Sequence, residues 1–427
     1  NGIKDGYNQV NINEHINIAN MLTEAGGASG GNYLTSDQFN YFHQEYPKWC
    51  IYGSEAASSI NSRGIYTTKS RLTLDENYQM TSYDKGYVSW GHSAAQACVF
   101  VIINDSVAGV FVWTGFDYIG EPTPANGETP GPVLTWPYSP KNSYFGIIDT
   151  AGFPKDSYYL YCSLWNENIN TLHILPAWNE DTIIQDLEGN GEVVVYSNAD
   201  KVELYLNDKI VGTQEFEIKT TELGYKYKIQ QGKDLHPNNL YSTFFVPYTP
   251  GKLYAKGYLK INGEYKEMTN TIGRNIVQTS KKPYKLITNV SKNIIKANKY
   301  DLSYIEVTIV DENGIEVPNA NNKVYFNVSG EGRLLGVDNG SSPDHQNYSD
   351  NNRCAFSGKV LGIVQSNENE GEIIVKISSE GLIGNEVIIK TKNENGKHIL
   401  CNGCKEILNE GSKYKCLYCN YFYFCEK

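Results

Sequence analysis

Two carboxylates follow strand-like apolar runs in the first third of the sequence and could take part in catalysis. The run WCIYGSE ends in Glu55, and the run GVFVWTGFDYIGEPTP brings Trp113 close to Asp117. A carboxylate at the carboxyl end of a strand is a candidate catalytic group, because (β/α)8 barrels build their active sites at that face. An aromatic ring beside a carboxylate suits a sugar. A helix cap and a core tryptophan would explain the same residues, and spacing alone does not decide.

Five cysteines crowd the end of the sequence with the spacing of metal ligands. Cys401 and Cys404 form one C-x2-C pair, Cys416 and Cys419 form a second, and Cys425 follows. Two such pairs put four thiolates within reach of one tetrahedral zinc ion, so the sequence predicts a structural zinc site here. The alternative is a disordered or disulfide-bonded tail.

The hydrophobic pattern divides the chain into a part with βα alternation and a part rich in strands. Up to about residue 165, short apolar runs alternate with longer amphipathic ones, which indicates βα units. After residue 166 the segments are short and alternate with a period of two. In VELYLNDKIVG, for example, Val202, Leu204 and Leu206 share one face, which predicts a half-buried strand. Ile305, Val307 and Ile309 share a face in the same way.

Turn and linker signals give the domain boundaries. The Asn-Gly pairs at 262–263 and 313–314 predict type I′ hairpin turns, because both central positions of that turn need positive φ. Pro and Lys cluster in TSKKPYK, so residues 279–284 are a candidate linker. The predicted domains are 1–165, 166–278, 283–392 and 398–427.

Charge and hydropathy make two classes of partner poor candidates. The chain has 37 basic and 48 acidic residues, a net charge of -11, with the acidic residues spread along its length. Nucleic acid and anionic membrane surfaces are therefore poor partners. No apolar stretch approaches the roughly 20 residues that span a bilayer. The 33 tyrosines, against 14 phenylalanines, suit carbohydrate surfaces, which need an apolar face and a hydroxyl together, although tyrosine also suits sheets.

Several segments resemble, in order, the landmarks of glycoside hydrolase family 2, β-galactosidase subgroup. Over roughly residues 25–392 they include IYGSEAASSINSRGIY, GVFVWTGFDYIGEPTP, SYFGIIDTAGFPKDSYYLYCSLW and GVDNGSSPDHQNYSDNNRCAFSGKVLGIVQS. The resemblance implies a multidomain fold with the C-terminal part of a (β/α)8 barrel followed by two all-β immunoglobulin-like sandwich domains, to which the cysteine cluster adds a small zinc-finger-like tail. It implies retaining hydrolysis of terminal β-D-galactosyl bonds, with a β-galactoside as the partner and a covalent glycosyl-enzyme intermediate.

The same resemblance assigns roles to individual residues. Glu55 in GSEAASS matches the family's nucleophile, and Trp113 matches the aromatic floor of the galactosyl subsite. Asp117 stands where a carboxylate that binds sugar hydroxyls is expected. Tyr33 in GGNYL is the candidate for the tyrosine that hydrogen-bonds the nucleophile. Glu121 in GEPTP is a competing carboxylate, for which a loop-fixing role is expected because a proline follows it.

The second carboxyl group of a retaining hydrolase has no candidate here. It must lie about 5 to 5.5 Å from the nucleophile, and the family places it in an Asn-Glu pair after the fourth barrel strand. The resemblance begins only near the sixth strand, and the Asn13-Glu14 pair lacks an apolar run before it. We therefore expect a fragment without the acid/base, with unpaired strand edges and little or no activity alone. The sequence does not decide whether a divalent or monovalent ion lies at the active site.

Other functions are kept as alternatives. The segment GSKYKCLYCNYFYFCEK resembles a ZZ-type zinc finger that stops before its sixth cysteine and its histidine pair, and it implies a protein partner for the zinc module. The chain could instead belong to a catalytically inactive carbohydrate-binding or adaptor protein. β-Glucuronidase or β-mannosidase specificity is disfavoured by the WTGFDYIGEPTP and VDNG landmarks. The sequence leaves open an extracellular or cytoplasmic location.

Overall fold

The computed structural model describes most of the chain, and strands predominate in it. The described residues are 9–69, 71–72, 74–125 and 139–393, with two short strands at Ile399–Leu400 and Ile407–Leu408. The helices are α1 (Gln9–Glu24), α2 (Ser36–Glu45), α3 (Ala94–Ile103) and α4 (Asp156–Trp165). None of the helices in these ranges is long and apolar enough to cross a membrane.

The first part of the chain is a parallel sheet with helices between its strands, as the predicted βα alternation requires. The strands are β1 (Ser29–Asn32), β2 (Ile51–Ala57) and β3 (Val110–Trp113), in the order β1-β2-β3. α2 begins with a capping box in which the Gln38 side chain accepts from the Thr35 backbone N–H at 2.9 Å. The described residues form no closed (β/α)8 barrel, because three strands whose outer members pair only with β2 cannot close on themselves.

Residues 172–278 form two packed sheets. One sheet has the order β4-β5-β9 and the other β11-β10-β6-β7-β8, with β12 beside β10. The predicted inward face of β6 is confirmed, because Val202, Leu204 and Leu206 are buried in the core between the sheets. The strands are β4 (Leu172–Leu175), β5 (Asn190–Ser197), β6 (Lys201–Leu206), β7 (Lys209–Thr220), β8 (Lys226–Gln230), β9 (Ser242–Pro247), β10 (Lys252–Ile261), β11 (Glu264–Glu267) and β12 (Ile276–Gln278).

Residues 285–392 form a second pair of sheets, with the orders β13-β15-β19-β17 and β14-β21-β20-β16-β18. The predicted inward face of β15 is confirmed, since Ile305, Val307 and Ile309 are completely buried. The strands are β13 (Lys285–Val290), β14 (Ile294–Lys296), β15 (Leu302–Val310), β16 (Lys323–Gly330), β17 (Gly332–Asp338), β18 (Asn352–Cys354), β19 (Lys359–Ser366), β20 (Gly371–Ser379) and β21 (Asn385–Lys392).

The two predicted Asn-Gly turns differ in how they are closed. At the first, Asn262 and Gly263 both have positive φ, 54° and 88°, and they join β10 to β11 as predicted. At the second, Gly314 has a φ of 82° but Asn313 lies outside the left-handed region. There the carboxylate of Asp311 accepts from the backbone N–H of Asn313 at 2.9 Å and closes the turn itself.

The zinc site stays a prediction. Its five cysteines lie outside the described residues: Cys401, Cys404, Cys416, Cys419 and Cys425. Within the described ranges, no three His, Cys, Asp or Glu side chains gather in a way that could hold a metal ion.

A buried polar network joins the βα part of the chain to the first pair of sheets. Tyr66 Oη donates to Asp156 Oδ2 at 2.8 Å, and His173 Nε2 lies 2.6 Å from Asp156 Oδ1. The backbone N–H of Arg274 donates to His173 Nδ1 at 3.0 Å, so the imidazole proton sits on Nε2 and the ring is neutral. Burial lowers the pKa of His173, although the hydrogen bond and charge of Asp156 oppose this.

This network predicts that the protein loses stability in mild acid. The folded pKa of His173 is lowered from its unfolded value of about 6.5, so the unfolded state binds more protons as the pH falls. The contribution is therefore present above about pH 6.5 and is lost below it, by up to about 1.4 kcal/mol for each pH unit. Urea unfolding at pH 7.0 and 5.5 measures this decrease in the free energy of unfolding. The decrease should be smaller in His173→Gln than in the native protein. His43→Gln, at an exposed histidine of α2, should keep the native pH dependence, and an unchanged dependence in His173→Gln would refute the assignment.

Candidate active site

The sheet places Glu55 near the carboxyl end of its central strand. β2 lies between β1 and β3, and the Glu55 side chain is half-buried. Two buried residues that follow, Ala57 and Ser58, have φ values of 68° and 50°, so the chain turns sharply at the end of the strand. A half-exposed carboxylate at the end of a parallel strand lies at the face where such sheets place their ligand sites.

Tyr33 lies directly beside Glu55. Its backbone N–H donates to the Glu55 carbonyl oxygen at 2.8 Å, and its ring is 5% exposed. Ser58 Oγ donates to Tyr33 Oη at 2.8 Å, while the Glu55 carboxylate contacts the same hydroxyl. Because Ser58 supplies one proton to this oxygen, the Tyr33 proton is directed to Glu55. Burial is the largest cause that raises the pKa of Tyr33. The hydrogen bond from Ser58 lowers this pKa, while the negative charges of Glu55 and Glu121 raise it further.

Trp113 lies on the neighbouring strand and is part of an aromatic and acidic group. In the pairing of β2 with β3, Trp113 stands opposite Ala57, two positions after Glu55. The Trp113 and Tyr118 rings meet edge to face with centroids 6.0 Å apart, and the Tyr118 hydroxyl donates to the Glu121 carboxylate. Burial raises the pKa of Tyr118, and its hydrogen bond to Glu121 adds to the rise. The structure thus gathers Trp113, Tyr118 and Glu121 at the end of β3.

Glu121 fits its predicted role in fixing the loop, since it is exposed, has a φ of 46° and binds Tyr118. Its charge nevertheless raises the pKa of Tyr33, as the charge of Glu55 does. Ser58 is an addition that the sequence reasoning did not single out, whereas Tyr118 belongs to the aromatic run GVFVWTGFDYIGEPTP that the sequence analysis interpreted as suited to a sugar. A polar residue in the small-residue run after Glu55 was the available signal for Ser58.

The sequence predicts that Asp117 contacts sugar hydroxyls, but the structure places its carboxylate in the interior. Its carboxylate forms an ion pair with Lys155 at 2.6 Å, and the two side chains are only 1% and 2% exposed. It also accepts from the backbone N–H of Gly146 at 2.7 Å. Burial raises the pKa of Asp117 to about 6, against the opposing charge of Lys155. These contacts favour a structural role beneath the site over contact with a ligand.

Family models match two parts of the strand-rich region. Residues 286–388 match the glycoside hydrolase family 2 C-terminal domain 5. Residues 189–265 match a domain of unknown function, DUF4982.

Curated proteins and solved structures match most of the chain. Beta-galactosidase BoGH2A of Bacteroides ovatus is 32% identical over 390 residues, which is 88% of this chain and 40% of that protein. A beta-glucuronidase of Formosa agariphila is 26% identical over 202 residues, 47% of this chain and 18% of that protein. The crystal structure of a beta-glycosidase from Bacteroides vulgatus superposes with a TM-score of 0.67 and 26% identity, covering 88% of this chain and 49% of that one. The chain spans less than half the length of each.

Proposed function

We propose that this chain, whose kinship with glycoside hydrolase family 2 is supported by a family model and by its relatives, belongs to a retaining β-galactosidase. The relatives carry the names of β-galactosidases and β-glucuronidases, which are O-glycosyl hydrolases. The observation that supports the proposal best is the arrangement of Glu55 beside Tyr33, one strand away from Trp113.

Glu55 is the proposed nucleophile. Its carboxylate attacks the anomeric carbon of the galactosyl group and forms a glycosyl ester, while the leaving oxygen takes a proton from a second carboxyl group. Water then hydrolyses the ester, and the second group takes up the proton from that water. The hydrogen bond from Tyr33 holds the Glu55 carboxylate in a fixed orientation. Trp113 offers its ring to the C–H face of the sugar.

The second carboxyl group is expected outside these 427 residues. We propose that β1, β2 and β3 are the last three strands of a (β/α)8 barrel that other parts of the whole protein complete. Their parallel order, the helices between them and the unpaired outer edges of β1 and β3 in the described region support this. Phe111 of β3 is 66% exposed, as expected for a side chain that further barrel elements would cover.

A neutral galactoside fits the site better than a glucuronide or another anionic sugar. Tyr33 contacts Glu55, and Trp113, Tyr118 and Glu121 form a connected group at the end of the neighbouring strand, so these described side chains are aromatic and acidic. A glucuronide carboxylate would meet the charges of Glu55 and Glu121, and like charges disfavour binding. This physical argument favours β-galactosidase over β-glucuronidase activity.

Turnover of three nitrophenyl glycosides by the whole protein tests the proposed function. We expect kcat/KM to be at least about 100-fold higher for the β-galactoside than for the β-glucuronide, which corresponds to about 2.7 kcal/mol of discrimination. The β-mannoside should also be slower. Proton NMR during the first minutes should show the β-anomer of galactose forming first, because two inversions at one carbon retain the configuration. First formation of the α-anomer, or a preference for the glucuronide, would contradict the proposal.

Residues 1–427 purified by themselves provide the matched comparison. We expect no detectable hydrolysis of methyl β-galactoside, whose leaving oxygen must be protonated as the bond breaks, since one carboxylate cannot both attack carbon and protonate that oxygen. Turnover by this chain that survives further purification and is lost in Glu55→Gln would show that it already contains its acid/base.

A further inference from the structure

The outer face of one sheet in residues 172–278 carries four tyrosines on three neighbouring strands. Inward positions of β6 fill the core, so its alternate positions, Lys201, Glu203 and Tyr205, face outward. Tyr254 of β10 stands opposite Tyr205, and Tyr258 stands opposite Lys201. Tyr265 of β11 stands opposite Lys260 of β10. We call Tyr205, Tyr254, Tyr258 and Tyr265 the tyrosine face.

Contacts within the tyrosine face hold its rings in fixed positions. Tyr205 and Tyr254 stack with centroids 4.8 Å apart and planes at 2°. One carboxylate, that of Glu203, accepts from Tyr205 Oη at 2.6 Å and from Tyr258 Oη at 2.9 Å. Burial of Glu203 raises its pKa, but Lys201 and the two hydroxyls outweigh that effect and lower it overall. An aromatic surface that is already ordered loses little entropy when a ligand binds.

The charges of the tyrosine face are balanced in pairs. Lys201 lies 2.7 Å from Glu203, and Lys256 lies 3.1 Å from Glu267 on β11. The Lys201 ammonium also lies over the Tyr258 ring at 4.4 Å and over the Tyr265 ring at 4.7 Å. Lys252 and Lys260 also face outward on β10. Two carboxylates at the border offset them, because Glu215 of β7 stands opposite Lys201 and Asp208 accepts from Tyr254 Oη at 3.2 Å, so the surface presents no excess of one sign. It therefore complements a neutral partner better than a polyanion such as nucleic acid or an acidic glycan.

The composition of the tyrosine face favours a sugar chain over a protein partner. The outward side chains on β6, β10 and β11 that form it are tyrosines, lysines and glutamates. Aliphatic side chains stand only at its borders, where Ile210 of β7 lies opposite Tyr205 and Ile276 of β12 lies opposite Tyr254. The core of a protein interface would be expected to contain apolar anchors and few charges. Aromatic rings interleaved with donors and acceptors match a pyranose, which has a C–H face and a rim of hydroxyls. From Tyr254 to Tyr258 the face extends about 13 Å along β10.

We propose that the tyrosine face is an accessory site that binds a neutral oligosaccharide chain, separately from the site at Glu55. It lies within residues 189–265, the region that matches the domain of unknown function. The inference goes beyond the proposed function, because binding at this face needs neither Glu55 nor Trp113. It assigns to this domain the task of holding a polysaccharide that the enzyme works on.

Affinity gel electrophoresis of the whole protein tests the proposal with three neutral probes: β-1,4-galactan, arabinan and mixed-linkage β-glucan. We expect at least one to retard the protein, and Tyr254→Leu/Tyr258→Leu to weaken that binding about tenfold, since two ring contacts are lost while the strands keep apolar side chains. Glu203→Gln, which keeps every ring, should weaken it by a smaller factor, because glutamine keeps one acceptor oxygen for the two hydroxyls but loses the ion pair with Lys201 that helps to order them. Tyr300→Leu/Tyr325→Leu is the matched control, at tyrosines 81% and 43% exposed in the third domain.

The outcomes separate this inference from the proposed function. Retardation that Trp113→Ala removes and the tyrosine-face variants leave intact would locate glycan binding at the Glu55 site and overturn the accessory site. No retardation by any of the three neutral probes would overturn it as well, including the case in which a fourth, anionic probe, polygalacturonate, retards the protein. The accessory site is supported if Tyr254→Leu/Tyr258→Leu and Glu203→Gln are retarded less than the native protein while their circular dichroism stays native. Retardation of Trp113→Ala should then equal that of the native protein.

Discussion

Replacement of Glu55 with glutamine in the whole protein is expected to lower kcat for the nitrophenyl galactoside by about 10⁴-fold, the scale seen when a covalent nucleophile is removed. Glutamine has nearly the same shape as glutamate, so KM should change far less than kcat. Glu55→Ala should regain part of its activity in azide, because the small anion attacks the anomeric carbon from the vacated position and gives the α-galactosyl azide. A 2-deoxy-2-fluorogalactosyl fluoride should label the native protein on the peptide that contains Glu55.

Glu121→Gln is the matched control for Glu55→Gln, because both carboxylates act on Tyr33 and only one is the proposed nucleophile. We expect a loss of about tenfold or less, because glutamine still accepts from Tyr118 but no longer carries the negative charge that strengthens this hydrogen bond. A covalent label on Glu121, or azide rescue of Glu121→Ala in place of Glu55→Ala, would move the nucleophile to Glu121.

Local patterns predicted the elements whose residues lie close together in sequence. The inward face of β6, with Val202, Leu204 and Leu206, follows from a period of two that any half-buried strand must have. The hairpin at Asn262 and Gly263 follows in the same way from the φ values that the turn requires. Such features depend on a few consecutive residues, so a single sequence contains the whole signal.

Long-range contacts decided the features that the sequence did not predict. Asp117 resembles a ligand-binding carboxylate locally, but Lys155, 38 positions later, pairs with it in the interior. Ser58 binds Tyr33, 25 positions earlier in the sequence, and no local pattern around either residue predicts this contact. At the second Asn-Gly turn the type I′ geometry expected from the sequence does not form, and a hydrogen bond to the Asp311 side chain closes the turn. Pairings of this kind depend on the packing of distant segments, which no local pattern encodes.

Lys155→Met is expected to destabilise the protein by about 3 to 5 kcal/mol at pH 7, because it leaves the Asp117 carboxylate buried and without its counterion. Lys155 Nζ also donates to the carbonyl oxygens of Asn61 at 2.7 Å and of Tyr144 at 3.3 Å, so the variant loses two further contacts. These bonds connect the loop after Glu55 to the loop after Trp113. The change should therefore lower the urea midpoint and weaken the packing between these two loops. Lys281→Met, which removes an exposed ion pair with Glu312, should leave the midpoint almost unchanged.

The pH dependence distinguishes a buried charge from a simple loss of packing. The folded pKa of Asp117 is raised by burial even with Lys155 present, and without Lys155 it must rise further. A folded pKa above the unfolded value means that the folded state binds more protons, so stability is retained at low pH and is lost as the pH rises through the folded pKa. The difference in unfolding free energy between native protein and Lys155→Met should thus be largest at pH 7 and smaller at pH 5. Asp117→Asn/Lys155→Met should recover part of the loss at pH 7, since no charge is left buried. A penalty that is equal at both pH values, and is not reduced in the double variant, would mean that Lys155 acts through packing and that Asp117 is not held in place by its charge.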